Sequence, residues 1–255
     1  MYQFFVEDGQ VGRDFITITG SDVNHIKNVL RMKPGEIVRI SSRSGHDYQC
    51  SVLELTDDFV QMDILDADVV STELSGRIYL FQALPKGDRM EYVIQKAVEL
   101  GVYEIIPVTM KYCVVKLDAK KAQSKVRRWQ AIAESAAKQS KRSLIPQIHP
   151  VISFKEAVDY AMNCDRRLVP YENERGMQAT AEALASIHAG DKVSVMIGPE
   201  GGFAEEEIGA VRDHMQIISL GKRILRTDTA AAAVMSILMM HLEMGCEGDM
   251  QKVPL

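Results

Sequence analysis

The chain has 255 residues, 46% hydrophobic and 25% charged, with 30 Lys and Arg against 35 Asp and Glu for a net charge of −5. That composition fits a globular protein with ample core, and it excludes a disordered chain or one coated in positive charge. The longest apolar block, Ala230 to Met240, is interrupted by Ser236 and too short for a bilayer, and MYQFFVEDGQ carries acids where a signal peptide carries lysines, so a cytoplasmic protein with no membrane contact is expected.

The texture changes near residue 75. Before it, DFITITG, EIVRISS, YQCSVLEL and FVQMDIL alternate between Gly, Pro and Asp-rich turns, predicting a small β-barrel over residues 1–73. One short helix, Val23 to Leu30, follows Ser21 or Asp22 as N-cap.

Residues 74–255 alternate strand and helix. Arg77 to Leu84 reads as a strand. Asp88 and Glu91 then resemble a capping box at the head of a helix whose Met90, Val93, Ile94, Ala97 and Val98 share a face and which Gly101 stops. Tyr103 to Val108 is the next strand, and a basic helix runs to about Ser140 with Val126, Trp129, Ala133 and Ala136 as its inner stripe. Helix 154–162, strand 166–170, helix 177–187 and strand 192–197 follow. Helix 204–215, strand 216–220 and a last helix from about Thr227 to Met244 complete the chain. The alternation predicts an α/β fold, a mainly parallel sheet with helices on both faces.

Positive charge concentrates in two runs. Lys111 to Arg142 holds ten Lys and Arg against Asp118 and Glu134, and Lys27, Arg31, Lys33, Arg39 and Arg43 face Glu36 alone. Either run is a nucleic-acid footprint or a solvated helix face. Cys50, Cys113, Cys164 and Cys246 are scattered without C-x-x-C spacing, so buried thiols are expected and no metal site.

Two turns stand out. In VMIGPEGGFAEEE (195–207) an apolar run stops at three glycines and a proline, and three acids open a helix. Three glycines so close together require a sharp bend or a close approach by something. Ligands of open α/β sheets sit at such strand ends. Neither a phosphate-binding loop nor a dinucleotide fingerprint is present, and Glu205, Glu206 and Glu207 would repel a polyphosphate at the helix start. A flat, uncharged ring held by main-chain groups suits the turn better. In LGKRILRTDTAAAA (220–233) a second strand ends at glycine, and four alanines give the next helix a slim face for close approach or simply tight packing.

IGPEGGF with its following acids, together with LGKRILRTDTA, resembles the paired C-terminal signatures of the RsmE family of SPOUT methyltransferases. KGDRMEYVIQKAVELGVYEIIPV (86–108), RRWQAIAESAAKQSKRSLIPQI (127–148) and HIKNVLRMKPGE (25–36) are similar to further family segments in the same order, so the likeness covers almost the whole chain. The departures are Ala204, where Ser or Thr commonly caps the helix, and Asp228, where Glu is usual.

The resemblance implies a SPOUT-type domain over 74–255 with a C-terminal trefoil knot, a PUA-like RNA-binding barrel over 1–73, and a homodimer. It implies S-adenosyl-L-methionine (SAM) as cofactor and methylation of uridine N3 in the decoding region of 16S ribosomal RNA or the small ribosomal subunit. Carried over by motif, the cofactor contacts are Leu168 and Pro170; Ile197, Gly198, Pro199, Glu200, Gly201 and Gly202; and Leu220, Gly221, Ile224, Leu225, Arg226 and Thr229. Arg226 is the candidate for stabilising charge on the uracil oxygens, and Glu99, Asp228 and Glu200 are candidate proton acceptors, left unranked. RNA contacts are expected at Arg31, Lys86, Lys138, Lys141, Arg142 and Arg223, with a structural salt bridge as the competing reading of Arg142. Two alternatives stay open: a SPOUT enzyme acting on ribose 2′-hydroxyl or another base, and a non-catalytic RNA-binding protein.

Overall fold

The computed structural model describes residues 1–67, 69 and 71–250, excluding the side chains of 246–250 and hence the thiol of Cys246. It divides into two compact units, Met1–Glu73 with Ala137–Ile145, and Leu74–Ala136 with the remainder from Pro146.

The first unit contains β1 (Tyr2–Val6), β2 (Phe15–Thr19), α1 (Ser21–Asn24), β3 (Ile37–Ser42), β4 (Asp47–Leu55) and β5 (Phe59–Asp66). They form one sheet in the order β1-β3-β4-β5-β2. Alternation sends Phe4, Ile16, Ile18, Ile40, Val52 and Met62 into one core, as a sheet with one wet face requires. Strand β1 is absent from the sequence reading because it pairs in parallel with β3, far along the chain, and leaves no hairpin signal. The helix expected over Val23 to Leu30 also differs. Gly20 takes the N-cap position without a side-chain cap, and α1 widens into a π turn over His25–Val29, which ends at Arg31 in the left-handed region, φ 53°.

The second unit runs β6 (Arg77–Ala83), α2 (Arg89–Glu99), β7 (Val102–Thr109), α3 (Ala119–Ser140, its last residues in the first unit), β8 (Gln147–Ile148) and β9 (Ile152–Ser153). It continues α4 (Phe154–Ala161), β10 (Arg166–Pro170), α5 (Gln178–Ala185), β11 (Lys192–Ile197), α6 (Glu205–Val211), β12 (Gln216–Ile218) and α7 (Thr227–Met250). The strand order is β12-β10-β11-β6-β7-β8 with β9 also on β7, and every pairing is parallel. Continuous buried runs such as Ile78 to Leu84 mark strands covered on both faces. The short β8 and β9 lacked any readable periodicity.

Capping departs from expectation twice. Asp88 holds the N-cap position of α2 but makes no side-chain cap bond, and Glu91 instead accepts from Arg128 at 2.9 Å. At α6 Ala204 has no side-chain acceptor, so only the return half of a capping box survives, Ala204 N–H to Glu207 at 2.9 Å. The other oxygen of buried Glu207 accepts the Lys111 N–H at 2.9 Å.

Candidate active site

Strands β12, β10 and β11 are neighbours, and the segments leaving their carboxyl ends enclose a cavity of about 430 Å³. That volume lies in the range of small-molecule sites. Its walls are Pro170–Glu172 with Arg175, Ile197–Phe203, and Leu220–Thr227 with Ala230.

A buried chain of hydrogen bonds ties two of these segments to the sheet. Gln82, fully buried at the end of β6, donates to the Thr227 hydroxyl at 2.9 Å, and Thr227 donates to the Gly198 carbonyl at 2.7 Å. Thr180 does similar work at the start of the 220–227 segment, donating to the Ser219 carbonyl at 2.7 Å.

The three glycines of the 198–202 turn answer to protein neighbours, which the sequence could not name. A Cβ on Gly201 would sit 2.9 Å from the Cβ of Tyr112, and one on Gly198 would meet the Phe203 ring at 3.0 Å. Gly202 has φ 74° and lies against the Glu172 carboxylate. What approaches this turn closely on its glycine side is the protein itself, while its remaining surface faces the cavity.

Glu200 is committed to the fold. It accepts from the Lys86 N–H at 2.9 Å and from Arg89 at 2.8 Å. Burial pushes its carboxyl up, but the Lys86 N–H, its own N–H and Arg89 outweigh that and leave it below the usual range. By contrast Arg175, Lys222, Arg223 and Arg226, all on the cavity wall, have no acidic partner among the described residues. Asp228, in the first turn of α7, has one carboxylate oxygen buried with no hydrogen-bond partner. Burial pushes the thiols of Cys50 and Cys164 to about 12 and about 11, so both are neutral packing groups at physiological pH.

Of the cofactor residues expected from the sequence, Pro170, Ile197 through Gly202, Leu220, Gly221, Ile224, Leu225 and Arg226 line the cavity. Leu168 and Thr229 do not: Leu168 is buried in β10, and Thr229 is an exposed residue of α7. Ile224 is 85% exposed, so most of it stands in solvent rather than in the cavity it borders. Glu99 lies outside the cavity lining, on α2, paired with Lys96 at 2.8 Å.

The RNA candidates divide. Arg31, Lys86 and Arg223 are exposed. Lys138 lies 3.4 Å from Asp22, and Lys141, with φ 62°, points its ammonium at the Lys138 carbonyl at 3.4 Å. Arg142 corrects the expected phosphate contact. Its side chain is 4% exposed and closed on Glu73, with the Nε at 2.9 Å from one carboxylate oxygen. Glu73 also accepts the Ser143 N–H at 2.8 Å, and the Arg142 carbonyl accepts from Gln3 at 2.6 Å. The competing structural reading of Arg142 holds. Glu172, Arg175 and Phe203 went unnoticed in the sequence; the first two sit in a charged loop that looks like any other, while Phe203 directly follows the glycine turn.

The RNA methyltransferase domain family matches residues 72–239, and the RNA methyltransferase PUA domain family matches 18–65. Ribosomal RNA small subunit methyltransferase E of Bacillus subtilis is 35% identical over 89% of this chain and 91% of its own length. The chain belongs to the ribosomal RNA small subunit methyltransferase E family. Another family member, from Mesomycoplasma hyopneumoniae, is 33% identical over 91% of this chain and 96% of its own. The solved structure of the Neisseria gonorrhoeae member, bound to SAM, superimposes with a TM-score of 0.80 at 31% identity, covering 94% of this chain and 97% of that one. The fold of the family is therefore the fold seen here, a parallel α/β methyltransferase sheet with a curled, PUA-like N-terminal sheet.

Proposed function

We propose that this chain transfers the methyl group of SAM to N3 of a uridine in the 16S ribosomal RNA of the small subunit, in the decoding region. Family membership carries SAM-dependent rRNA methylation; N3 of uridine is the finer part of the reading. The observation behind the site is the meeting of both glycine-bearing loops around one cavity of about 430 Å³.

The residues suit SAM. Main chain of the 197–202 and 220–225 segments, with the ring of Phe203, offers a concave, largely uncharged wall for a nucleoside, and Lys222 or Arg223 can meet a carboxylate. Bound there, SAM supplies a methyl group on a sulfonium and so needs no metal partner.

The chain must then deal with the proton and charge of uridine N3. Arg226 on the cavity wall has no acidic partner among the described residues, so its guanidinium is available to the uracil oxygens as they gain negative charge. Of the three acids, Glu99 stands outside the cavity and Glu200 is held by Lys86 and Arg89. Asp228 does not line the cavity either, but it follows the wall residue Thr227 and keeps a buried oxygen without a hydrogen-bond partner, and on that ground it is the acceptor we assign. The first unit and the rim cations Arg175, Lys222 and Arg223 would hold the RNA.

A homodimer and a knotted C-terminus belong to the same proposal. Met240 and Met244 leave an apolar stripe of α7 exposed, as a subunit interface would. Sedimentation at micromolar concentration tests it, and a monomer that still methylates RNA removes it. The function itself is tested with labelled SAM and small ribosomal subunits from cells lacking this protein. Incorporation into 16S rRNA is expected, whereas SAM binding without incorporation would favour the non-catalytic RNA-binding alternative.

A further inference from the structure

We infer that Ile224 is a wedge that fills the gap in the RNA base stack when the target uridine leaves it. The inference rests on the proposed methylation of uridine N3. At 85% exposure Ile224 is the most exposed large hydrophobic side chain among the described residues. A lone exposed isoleucine means little in itself. Its setting is different: it stands on the wall of the cavity, in a loop with Lys222, Arg223 and Arg226, and all three lack an acidic partner among the described residues.

Chemistry supplies the rest. N3 lies on the pairing edge of uracil, and the cavity is concave, so a stacked or paired base must swing out of its helix to reach it. The vacated step is unstacked, and proteins that hold nucleic acid in this way insert an apolar side chain there while cations grip the flanking phosphates. Ile224 is the apolar group at the mouth, and Lys222 and Arg223 are the adjoining cations. The cations beside Ile224 suit the phosphates that flank an unstacked base.

The test uses two RNAs: a hairpin holding the methylated uridine inside a helix with 2-aminopurine as its 3′ neighbour, and an unstructured oligonucleotide with the same uridine. Full-length protein with SAM should raise 2-aminopurine fluorescence on the hairpin. Ile224→Ala should lose most of that rise and slow single-turnover methylation of the hairpin by about ten-fold relative to the unstructured RNA. Ile224→Leu should restore both, and SAM affinity should not change in either variant. Equal slowing on both RNAs, or a fall in SAM affinity, would make the loop a cofactor lid and overturn the inference. So would a change in sedimentation, which would place Ile224 between subunits. If the unaltered protein methylates neither RNA, the functional reading itself fails and the wedge with it.

Discussion

Cations of the first unit and cations around the cavity are treated in opposite ways by the fold. In the first unit Arg142 is closed on Glu73, Arg39 on Asp47 at 2.6 Å, and Lys138 lies near Asp22. Around the cavity of the second unit Arg175, Lys222, Arg223 and Arg226 have no such partners among the described residues. A count of lysines and arginines locates charge but not available charge. Buried pairs such as Arg142–Glu73 fix a segment in place, and only unpaired cations can meet phosphate or developing charge at low cost.

The largest effect that would sharpen this contrast is at Arg226. Arg226→Ala should lower single-turnover methyl transfer by about 100- to 1,000-fold, roughly 3 to 4 kcal/mol, with little change in SAM affinity. Arg226→Lys should also be poor, because an ammonium cannot span two acceptors as a guanidinium does. Loss of SAM binding in step with rate would make Arg226 a cofactor ligand instead. In the paired region the expected failure is one of folding. Glu73→Ala strands a buried guanidinium and should destabilise the first unit by about 3 kcal/mol, seen in denaturant titration followed by hydrogen exchange over residues 1–73. An unchanged midpoint would show that the Arg142–Glu73 pair does not hold this unit together.

Smaller effects probe the cavity frame. Thr227→Val deprives the Gly198 carbonyl and the Gln82 amide of a partner, costing about 1 to 3 kcal/mol. It should raise the KM for SAM with little change in kcat, and Thr227→Ser should keep both bonds and the wild-type KM. The Glu200 carboxyl, held below its ordinary range, contributes stability that is complete above the usual glutamate value and is lost as pH falls through its own lowered value. SAM affinity should therefore hold through mild acidification and drop only below the ordinary glutamate range, a drop that Glu200→Gln should remove. Smallest is the salt dependence of RNA binding. Each rim cation changed to alanine should flatten the slope of log affinity against log salt by roughly 0.7, whereas Lys138→Ala, whose ammonium already faces Asp22, should change it less.

Much of this was legible in the sequence, and the exceptions share a cause. Helix α2 and the strands around it followed from periodicity because each has a local pattern and a local stop at Gly101. Strand β1 did not, since its parallel partner β3 lies far along the chain. The two loops at the cavity were readable from their glycines, but not what those glycines touch, because Tyr112 and Glu172 reach them only in the folded chain. Arg142 and Glu99 stayed open in the sequence for the same reason: a side chain's availability depends on a partner, and only the fold shows whether Glu73 or Lys96 stands beside it.

The central claim is that the unpaired Arg226 and the cavity it faces direct methyl transfer to N3 of uridine. The most direct measurement is nucleoside mass spectrometry of 16S rRNA after small subunits from cells lacking this protein are incubated with isotopically labelled SAM and either wild-type protein or Arg226→Ala. The account predicts label in 3-methyluridine with the wild type and almost none with the variant. Label in a 2′-O-methyl nucleoside or another base, or equal label with both proteins, would contradict it.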